Sequence, residues 1–242
     1  MVEDPQIIFT NKDFIIVNKP AGLSVHGGGS IKKEERTLAD FLVEKLPELA
    51  MVGDEPAIRP GLVHRLDKDT SGVMVVARNQ IAFEGLKDLF KQRKVQKTYA
   101  ALTCGVFRQE HGVVDLPIGR LKTNPTKRGA LLNPKTKLRN VRDARTEYSV
   151  VRGNDRYTLL DVFPRTGRMH QIRVHLGAIG RPVACDKKYG GKSVCCPPGL
   201  GRIFLHAREL EFSYPEGKHW RFSAELPDDL AHALSLALST EE

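Results

Sequence analysis

The chain has 242 residues, of which 40% are hydrophobic and 28% are charged, and its formal net charge is +9. A chain of this length can bury a substantial core. Its sequence contains no run approaching the ~18 apolar residues that a membrane span needs. The N-terminal segment, residues 1–6, is short and acidic, and it lacks the apolar stretch of a signal peptide. These features argue against a membrane protein and against a secreted one.

The four cysteines, Cys104, Cys185, Cys195 and Cys196, are too few and too irregularly spaced for a disulfide framework. They form no C-x-x-C pair either. We therefore expect reduced thiols in a cytoplasmic protein.

The positive charge is concentrated in one segment. Between residues 120 and 145 there are nine lysines and arginines, and the only acidic residue is Asp143. Surface loops usually mix the two signs, so this segment favours a polyanionic partner, most simply nucleic acid. An acidic protein or an anionic lipid is the alternative. The polar, basic composition predicts an insertion that becomes ordered on binding.

In chain order, the apolar runs at 7–9 and 14–17 predict two short strands around a turn. Thr37, with Asp40 three residues later, predicts a helix N-terminus, and Pro47 marks where that helix ends. The continuous apolar run at 73–77 predicts a buried strand. An amphipathic pattern predicts a helix from Ile81 to about Arg93.

In the second half, strands are predicted at 98–106, 157–163 and 204–214. Helices are predicted over 169–179, ending near Gly180, and over 230–238. Strands and helices mix without a regular βαβ alternation, which favours an α+β fold on a mixed, mainly antiparallel sheet. No linker or repeat is visible, so we expect a single domain over 1–242, with residues 120–145 as an insertion between strands.

Several familiar motifs fail. Gly191-Lys192-Ser193 lacks the glycine that a phosphate-binding loop needs at position 186. No G-x-S-x-G occurs, and His170 and His175 have no third metal ligand at a typical spacing. We expect no metal, no nucleotide cofactor and no hydrolase triad.

Four segments share another character, a basic residue beside one key residue within apolar structure. They read N-K-P-A-G-L (18–23), H-R-L-D-K-D-T-S-G (64–72), K-T-Y (97–99) and T-G-R-M-H-Q-I-R-V-H (166–175). In these motifs and their order, the chain resembles the RluA-type pseudouridine synthases from Ile7 to about Leu230. The second and fourth motifs are very specific.

The resemblance implies a pseudouridine synthase fold, a mainly antiparallel sheet with flanking helices and a central RNA-binding cleft. It implies an enzyme that isomerises uridine in RNA without metal or cofactor. Asp67 corresponds to the catalytic aspartate, and Tyr99 to the tyrosine that stacks on the target base. Arg173 corresponds to the arginine that pairs with the aspartate. Arg65 corresponds to the arginine that helps to displace the base and fills its gap.

The chemistry needs these residue types. The C1′–N1 bond must break, the uracil must turn, and C5 must join C1′. One ionised carboxylate suffices, either as a nucleophile at C1′ or as a base at C2′, and the sequence leaves both routes open. A bidentate arginine suits that carboxylate. Flipping a base out of its stack costs a few kcal/mol, and stacking of the flipped base on an aromatic side chain recovers roughly 1–3 kcal/mol.

Structural alternatives exist for each residue. Asp67 could be an ion-pair partner of Arg65 or Lys68, Tyr99 could be core packing, and Arg173 could cap a helix. We expect Lys19 either to support the floor of the active site or to touch phosphate. In the basic segment, we expect Arg139 and Arg142 to bind RNA, so reversing their charges should weaken binding and its salt dependence.

The motif wording favours large-subunit ribosomal RNA over tRNA as the substrate. Many such enzymes carry a small N-terminal S4 domain, and we expect that domain to be absent or removed here. A tRNA or dual-substrate synthase is the alternative, as is an inactive RNA-binding protein or RNA chaperone. We expect a monomer.

Overall fold

The computed structural model describes residues 3–27, 35–124, 126–133 and 136–239. The strands within these residues are β1 (Gln6–Thr10), β2 (Phe14–Lys19), β3 (Ser71–Ala77), β4 (Gln96–Cys104), β5 (His111–Asp115), β6 (Ile118–Leu121), β7 (Arg128–Ala130), β8 (Leu138–Arg142), β9 (Arg145–Gly153), β10 (Tyr157–Pro164), β11 (Leu205–Ser213) and β12 (His219–Ser223). The α-helices are α1 (Leu38–Lys45), α2 (Gln80–Lys91), α3 (Gln171–Ala178) and α4 (Asp228–Leu238). Short 3₁₀ turns cover Pro47–Met51 and Gly191–Ser193.

The chain divides into two compact units. The first comprises residues 1–97 and 207–225, and the second comprises residues 98–206 and 226–242. The expectation of a single domain stays a prediction.

The sheet of the first unit has the strand order β1-β2-β3-β11, and β12 pairs with β11. The pairs β1/β2, β2/β3 and β11/β12 are antiparallel. One face of β2 and β3, including Phe14 and Val75, packs against Phe83 and Leu86 of α2. Every residue of β3 is buried. This continuous burial explains the unbroken apolar run that predicted the strand.

Capping side chains fix where the first two helices begin. The Oγ1 of Thr37 accepts a hydrogen bond from the backbone N of Asp40 at 3.3 Å, and the Asp40 carboxylate accepts one from the backbone N of Thr37 at 2.8 Å. This reciprocal capping box confirms the predicted start of α1. Asn79 caps α2 in the same manner through the backbone N of Ala82 at 2.8 Å.

The main sheet of the second unit has the order β4-β10-β9-β5, and all three pairs are antiparallel. On one side, Leu160 and Val162 of β10 pack against Ile172 and Leu176 of α3. Another cluster joins β4 to α4 through Leu102 and Leu230. The mainly antiparallel pairing confirms the predicted α+β class.

The basic segment contains strands that the sequence analysis did not predict. Strands β6, β7 and β8 form a separate antiparallel sheet of order β7-β6-β8. The expectation of a plain insertion loop is therefore wrong for these strands. No apolar alternation marks these strands, since only Ile118, Gly119 and Ala130 are buried on them. Strands β5, β9 and β12 were missed for the same reason.

The cysteines differ from expectation. Disulfides join Cys104 to Cys195 and Cys185 to Cys196. The expectation of reduced thiols is wrong for this structure, because folding places Cys195 beside Cys104, 91 positions away, and Cys196 beside Cys185, 11 positions away. Among the described residues, no helix is long and apolar enough to cross a membrane.

Candidate active site

Asp67 lies in a tight turn that leads into β3. The carbonyl of Asp67 accepts a hydrogen bond from the backbone N of Thr70 at 3.1 Å, which closes the four-residue turn 67–70. Leu66 before it and Thr70 after it are buried, whereas the Asp67 side chain is half-buried. The turn thus sets the backbone on both sides of the carboxylate and leaves the carboxylate accessible.

Lys19 supports this turn through hydrogen bonds to backbone carbonyls. Its side chain is 0% exposed. Its Nζ donates to the carbonyls of Pro20 and Leu23 at 2.8 Å each and to that of Lys68 at 3.1 Å. The Lys68 carbonyl also accepts from the backbone N of Gly22 at 2.9 Å. A buried ammonium requires such oxygens to offset its desolvation. Complete burial fits the expected role in supporting the floor better than contact with an RNA phosphate.

Arg65 is exposed, and His26 orients it. The Arg65 Nη1 lies 2.9 Å from His26 Nε2, and His26 Nδ1 lies 2.6 Å from the carbonyl of Gly27. Because a guanidinium can only donate, Nε2 must accept and Nδ1 must carry the proton. Burial is the main cause that lowers the pKa of His26, and the charge of Arg65 lowers it further. The neutral imidazole therefore directs the arginine at physiological pH.

His64 and Gly72 have structural roles at the two ends of the second motif. The Nε2 of His64 accepts from the backbone N of Val75 at 3.1 Å, and the ring stacks on Phe90 at 4.5 Å between centroids. Burial, with the nearby charge of Lys97, lowers the pKa of His64 to about 3. Gly72 has a φ of 123°, and a Cβ there would collide with the backbone of Ala207. The motif's last glycine thus permits close approach of β11.

Tyr99 lies on β4, opposite Val162 of β10. It is half-buried and packs at the edge of the cluster that contains Ala101 and Leu160. The ring is therefore supported by the core and only partly exposed. Two residues earlier, burial lowers the pKa of Lys97 to about 8.

Arg173 on α3 makes a buried bidentate ion pair with Asp186. Its Nε lies 2.7 Å from Oδ2, and one Nη lies 2.9 Å from Oδ1. The Asp186 Oδ1 also accepts from the backbone N of Lys188 and of Tyr189. The guanidinium carbon of Arg173 lies 5.2 Å from the centre of the Tyr189 ring. These contacts fix the plane of the guanidinium.

Other residues of the fourth motif hold the loop before α3. Buried Gln171 accepts from the Thr166 hydroxyl at 2.5 Å and from the backbone N of Arg168 at 3.0 Å. Its amide donates to the Thr146 hydroxyl at 3.0 Å. His175 Nδ1 lies 2.8 Å from the same hydroxyl. The conspicuous polar residues around Arg173 are therefore mostly structural, which the sequence pattern alone does not separate.

The structure brings Lys19, Arg65 and Asp67 together within the first unit. Tyr99 and Arg173 lie in the second unit, as do Arg139 and Arg142 on β8. The sequence motifs missed three residues that contact the predicted site residues, namely His26, Asp186 and Tyr189. One signal for Asp186 exists in the sequence, since it is the acidic residue that directly follows the apolar run Val183-Ala184-Cys185.

Comparisons with known proteins agree with this arrangement. The family model described as RNA pseudouridylate synthase matches residues 13–178. The chain is 38% identical over 230 residues to a protein named "Uncharacterized RNA pseudouridine synthase" from Aquifex aeolicus, covering 92% of this chain and 69% of the relative. It is 40% identical over 235 residues to "Ribosomal large subunit pseudouridine synthase D" from Nitrosomonas europaea, covering 95% of this chain and 64% of that relative.

A solved structure also superposes well. "Human RNA Pseudouridylate Synthase Domain Containing 4" matches with a TM-score of 0.75 and 29% identity, covering 96% of this chain and 92% of the human chain. Fold, motifs and sequence similarity therefore agree with the resemblance seen in the motifs. The chain belongs to the RNA pseudouridylate synthase family, as a member of the RluA type, a family of isomerases.

Proposed function

We propose that this protein isomerises uridine to pseudouridine in large-subunit ribosomal RNA, with Asp67 as the reacting carboxylate. The observation that carries the proposal is the supported turn 67–70, which fixes the backbone of a half-buried carboxylate over the buried Lys19. The choice of RNA rests on relatives whose names specify that subunit, from Nitrosomonas europaea and from Vibrio parahaemolyticus at 40% and 32% identity.

In the proposed reaction, the carboxylate of Asp67 acts while the uridine is flipped out of its stack. The C1′–N1 bond breaks, and the detached uracil turns. C5 then bonds to C1′, the hydrogen at C5 leaves as a proton, and N1 gains a proton. Atoms and charge balance without an external reactant. Both routes, attack at C1′ and proton removal at C2′, need the ionised form of one well-placed carboxylate.

The other residues serve the same step. Arg65, oriented by His26, displaces the target base and occupies its place in the RNA. Tyr99 stacks on the flipped base, which returns roughly 1–3 kcal/mol of the cost of flipping. Arg173 supplies a fixed positive charge, and its pairing with Asp67 remains the prediction that the family resemblance makes. Lys19 positions the Asp67 turn, while Arg139 and Arg142 contact RNA phosphates.

Tritium release tests this proposal directly. Forming the C5–C1′ bond expels the C5 hydrogen, so RNA labelled with tritium at uridine C5 releases label into water only when isomerisation occurs. Large-subunit rRNA and tRNA are incubated separately with the wild type, Asp67→Asn and Asp69→Asn. The last variant is the matched control, because Asp69 is exposed in the same turn. We expect release from rRNA by the wild type and the control, and none by Asp67→Asn.

Each other outcome overturns a stated part. Release from tRNA alone would replace the proposed substrate. Release by Asp67→Asn would remove Asp67 from its catalytic role. Salt-sensitive RNA binding without release from either RNA would favour an RNA-binding protein over an isomerase.

A further inference from the structure

A cavity of about 250 Å³ lies in the second unit, between the small basic sheet and the loop that precedes α3. Its lining combines residues from β6, β7 and β8 with Gly167, Arg168 and Met169 of that loop. The volume is slightly below the ~300 Å³ at which small-molecule pockets begin. The cavity is therefore large enough for one sugar–phosphate unit of a chain, but too small for a folded segment.

Four arginines dominate this lining, namely Arg120, Arg128, Arg142 and Arg168. Among the described residues that line the cavity, none is acidic. Burial and the neighbouring Arg120 lower the pKa of the Arg128 guanidinium, while Tyr189 acts in the opposite direction. The like charges thus lie close enough to perturb one another, an arrangement that an anion relieves.

Two nearby arginines of this unit form ion pairs with carboxylates. The guanidinium of Arg145 lies 3.2 Å from Glu147 and 3.3 Å from Asp115, and that of Arg165 lies 2.6 Å from Glu147. Within the described ranges, Arg120 and Arg142 have no carboxylate within ion-pair distance. Arg120 and Arg142 therefore bring positive charge to the cavity that no described carboxylate of the unit pairs with, although the acidic residue Glu147 lies on the adjacent strand β9.

Hydrogen bonds hold the backbone of Arg128 and the side chain of Arg168 in place. The backbone N of Arg128 donates to the Tyr189 hydroxyl at 3.2 Å. The Arg168 side chain donates from Nε to the carbonyl of Asp143 at 3.0 Å. A site whose donors are fixed in advance loses less conformational entropy when it binds an anion.

The rest of the lining suits a sugar. Met169 is 46% exposed, which offers an apolar surface beside the arginines. Asn140 contributes an amide that both donates and accepts hydrogen bonds. A Cβ built on Gly167 meets nothing within 4 Å, so that side of the cavity is open. Arginines, an amide and an apolar side chain together match a ribose with its flanking phosphates.

We propose that this arginine pocket binds the ribose–phosphate backbone of the substrate RNA and thereby sets where the RNA lies on the second unit. This inference rests on the proposed function and deepens it by naming the part of the RNA that is bound. It also adds Arg120, Arg128 and Arg168 to the binding residues expected from the sequence.

The test measures the salt dependence of binding to large-subunit rRNA for the wild type, Arg120→Gln and Arg142→Gln. Loss of one phosphate contact lowers the slope of log K against log salt concentration by about 1. We expect that decrease for each pocket variant. Arg152→Gln is the matched control, because Arg152 is an exposed arginine on β9 outside the cavity. We expect the wild-type slope for it.

A second pair of variants avoids removing any arginine. The open space at Gly167 accepts a side chain, so Gly167→Glu introduces a carboxylate at the cavity and Gly167→Gln introduces its uncharged equivalent. We expect Gly167→Glu to bind RNA about tenfold more weakly than Gly167→Gln. The difference isolates charge from bulk, and circular dichroism confirms that both variants fold.

The proposal is overturned if the pocket variants keep the wild-type slope, or if Gly167→Glu and Gly167→Gln bind equally. It is also overturned if poly-L-glutamate binds the wild type more tightly than Arg142→Gln without displacing RNA, because the pocket would then hold an acidic chain and not the RNA. Tritium release keeps the two proposals distinguishable. Release that persists at saturating RNA leaves the isomerase proposal standing while the pocket is rejected.

Discussion

The Asp67 turn and the arginine pocket are built in opposite ways. Around the turn, buried Lys19 and the backbone of Gly22 satisfy the carbonyl of Lys68. The Lys19 charge is matched by carbonyl oxygens and excluded from water. In the pocket, four arginines surround a cavity whose described lining is free of acidic residues. The first region fixes the backbone on both sides of the proposed reacting carboxylate, whereas in the second Arg120 and Arg142 have no described carboxylate as a partner.

This difference separates chemistry from binding. A preorganised carboxylate affects the rate at saturating RNA, because small displacements of a reacting group are costly. An array of exposed cations affects affinity and its salt dependence. Variants in the two regions should therefore differ in their kinetics. Variants of the turn should lower the rate at saturating RNA, and variants of the pocket should lower the affinity.

Removing the support under the turn has the largest effect. Lys19→Met removes the ammonium donor from the carbonyls of Pro20 and Leu23, whereas the carbonyl of Lys68 keeps the backbone N of Gly22 as a donor. An unsatisfied buried group costs ~1–3 kcal/mol. We expect the free energy of unfolding to fall by about 3 kcal/mol. The isomerisation rate at saturating RNA should fall by about 100-fold, because the Asp67 turn shifts. Chemical denaturation and single-turnover kinetics measure the two effects.

Lys12→Met is the control for this change, because Lys12 is exposed at the turn between β1 and β2. It should leave stability and rate unchanged. Weaker RNA binding by Lys19→Met, with an unchanged saturating rate, would instead place Lys19 against RNA phosphate.

The buried charge near the second motif makes stability depend on pH. Burial lowers the pKa of Lys97 from 10.5 to about 8 in the folded state. Between these values the unfolded state binds more protons, so the free energy of unfolding should rise with pH, by up to about 3 kcal/mol. Below pH 8 the lysine is charged in both states and this contribution is absent.

Denaturation of the wild type, Lys97→Met and Lys94→Met from pH 7.5 to 10.5 tests this prediction. Lys94 is exposed and serves as the control. The rise should be present in the wild type and in Lys94→Met and should be smaller in Lys97→Met. Parallel curves for all three proteins would show that Lys97 titrates normally in the folded state.

Tyr189 contacts both Arg173 and the pocket residue Arg128. Loss of its hydroxyl should have the smallest effect on the isomerisation rate. Its ring lies under Arg173, and its hydroxyl contacts the backbone N of Arg128 and, at 2.7 Å, the Nδ1 of His170. Tyr189→Phe keeps the ring and removes these hydrogen bonds. We expect the saturating rate to fall by about 3- to 10-fold, with a smaller loss of RNA affinity because Arg128 loses one hydrogen bond.

Tyr157→Phe is a matched control, because the buried Tyr157 hydroxyl has no hydrogen-bond partner among the described residues. It should leave the rate unchanged. A loss of affinity without a change in rate for Tyr189→Phe would assign Tyr189 to the pocket alone.

The sequence predicted the elements that bury apolar faces. Strand β3 and helix α1 appear where continuous burial and the Thr37 cap indicate them. Helix α3 begins at Gln171 rather than Met169, because His170 adopts a left-handed backbone with a φ of 57°. The small basic sheet was missed because its strands are short and mostly exposed, so no periodic apolar pattern marks them.

For the site, the motifs predict Asp67, Arg65, Tyr99 and Arg173 through family resemblance, and these roles stay predictions. The residues that hold them could not be found in this way. His26 reaches Arg65 across 39 positions, and Asp186 reaches Arg173 across 13, through side-chain contacts that exist only in the folded chain. The cysteine pairs were missed for the same physical reason, since spacing does not report spatial proximity.

The most direct test of the central claim, that Asp67 performs chemistry while the pocket performs binding, compares Asp67→Asn with Arg142→Gln. Single-turnover pseudouridine formation is measured at RNA concentrations that saturate each protein, together with RNA affinity. We expect Asp67→Asn to bind RNA normally and form no pseudouridine. Arg142→Gln should bind more weakly and reach the wild-type rate at saturation. Measurable pseudouridine formation by Asp67→Asn, or a reduced saturating rate for Arg142→Gln, would contradict the account.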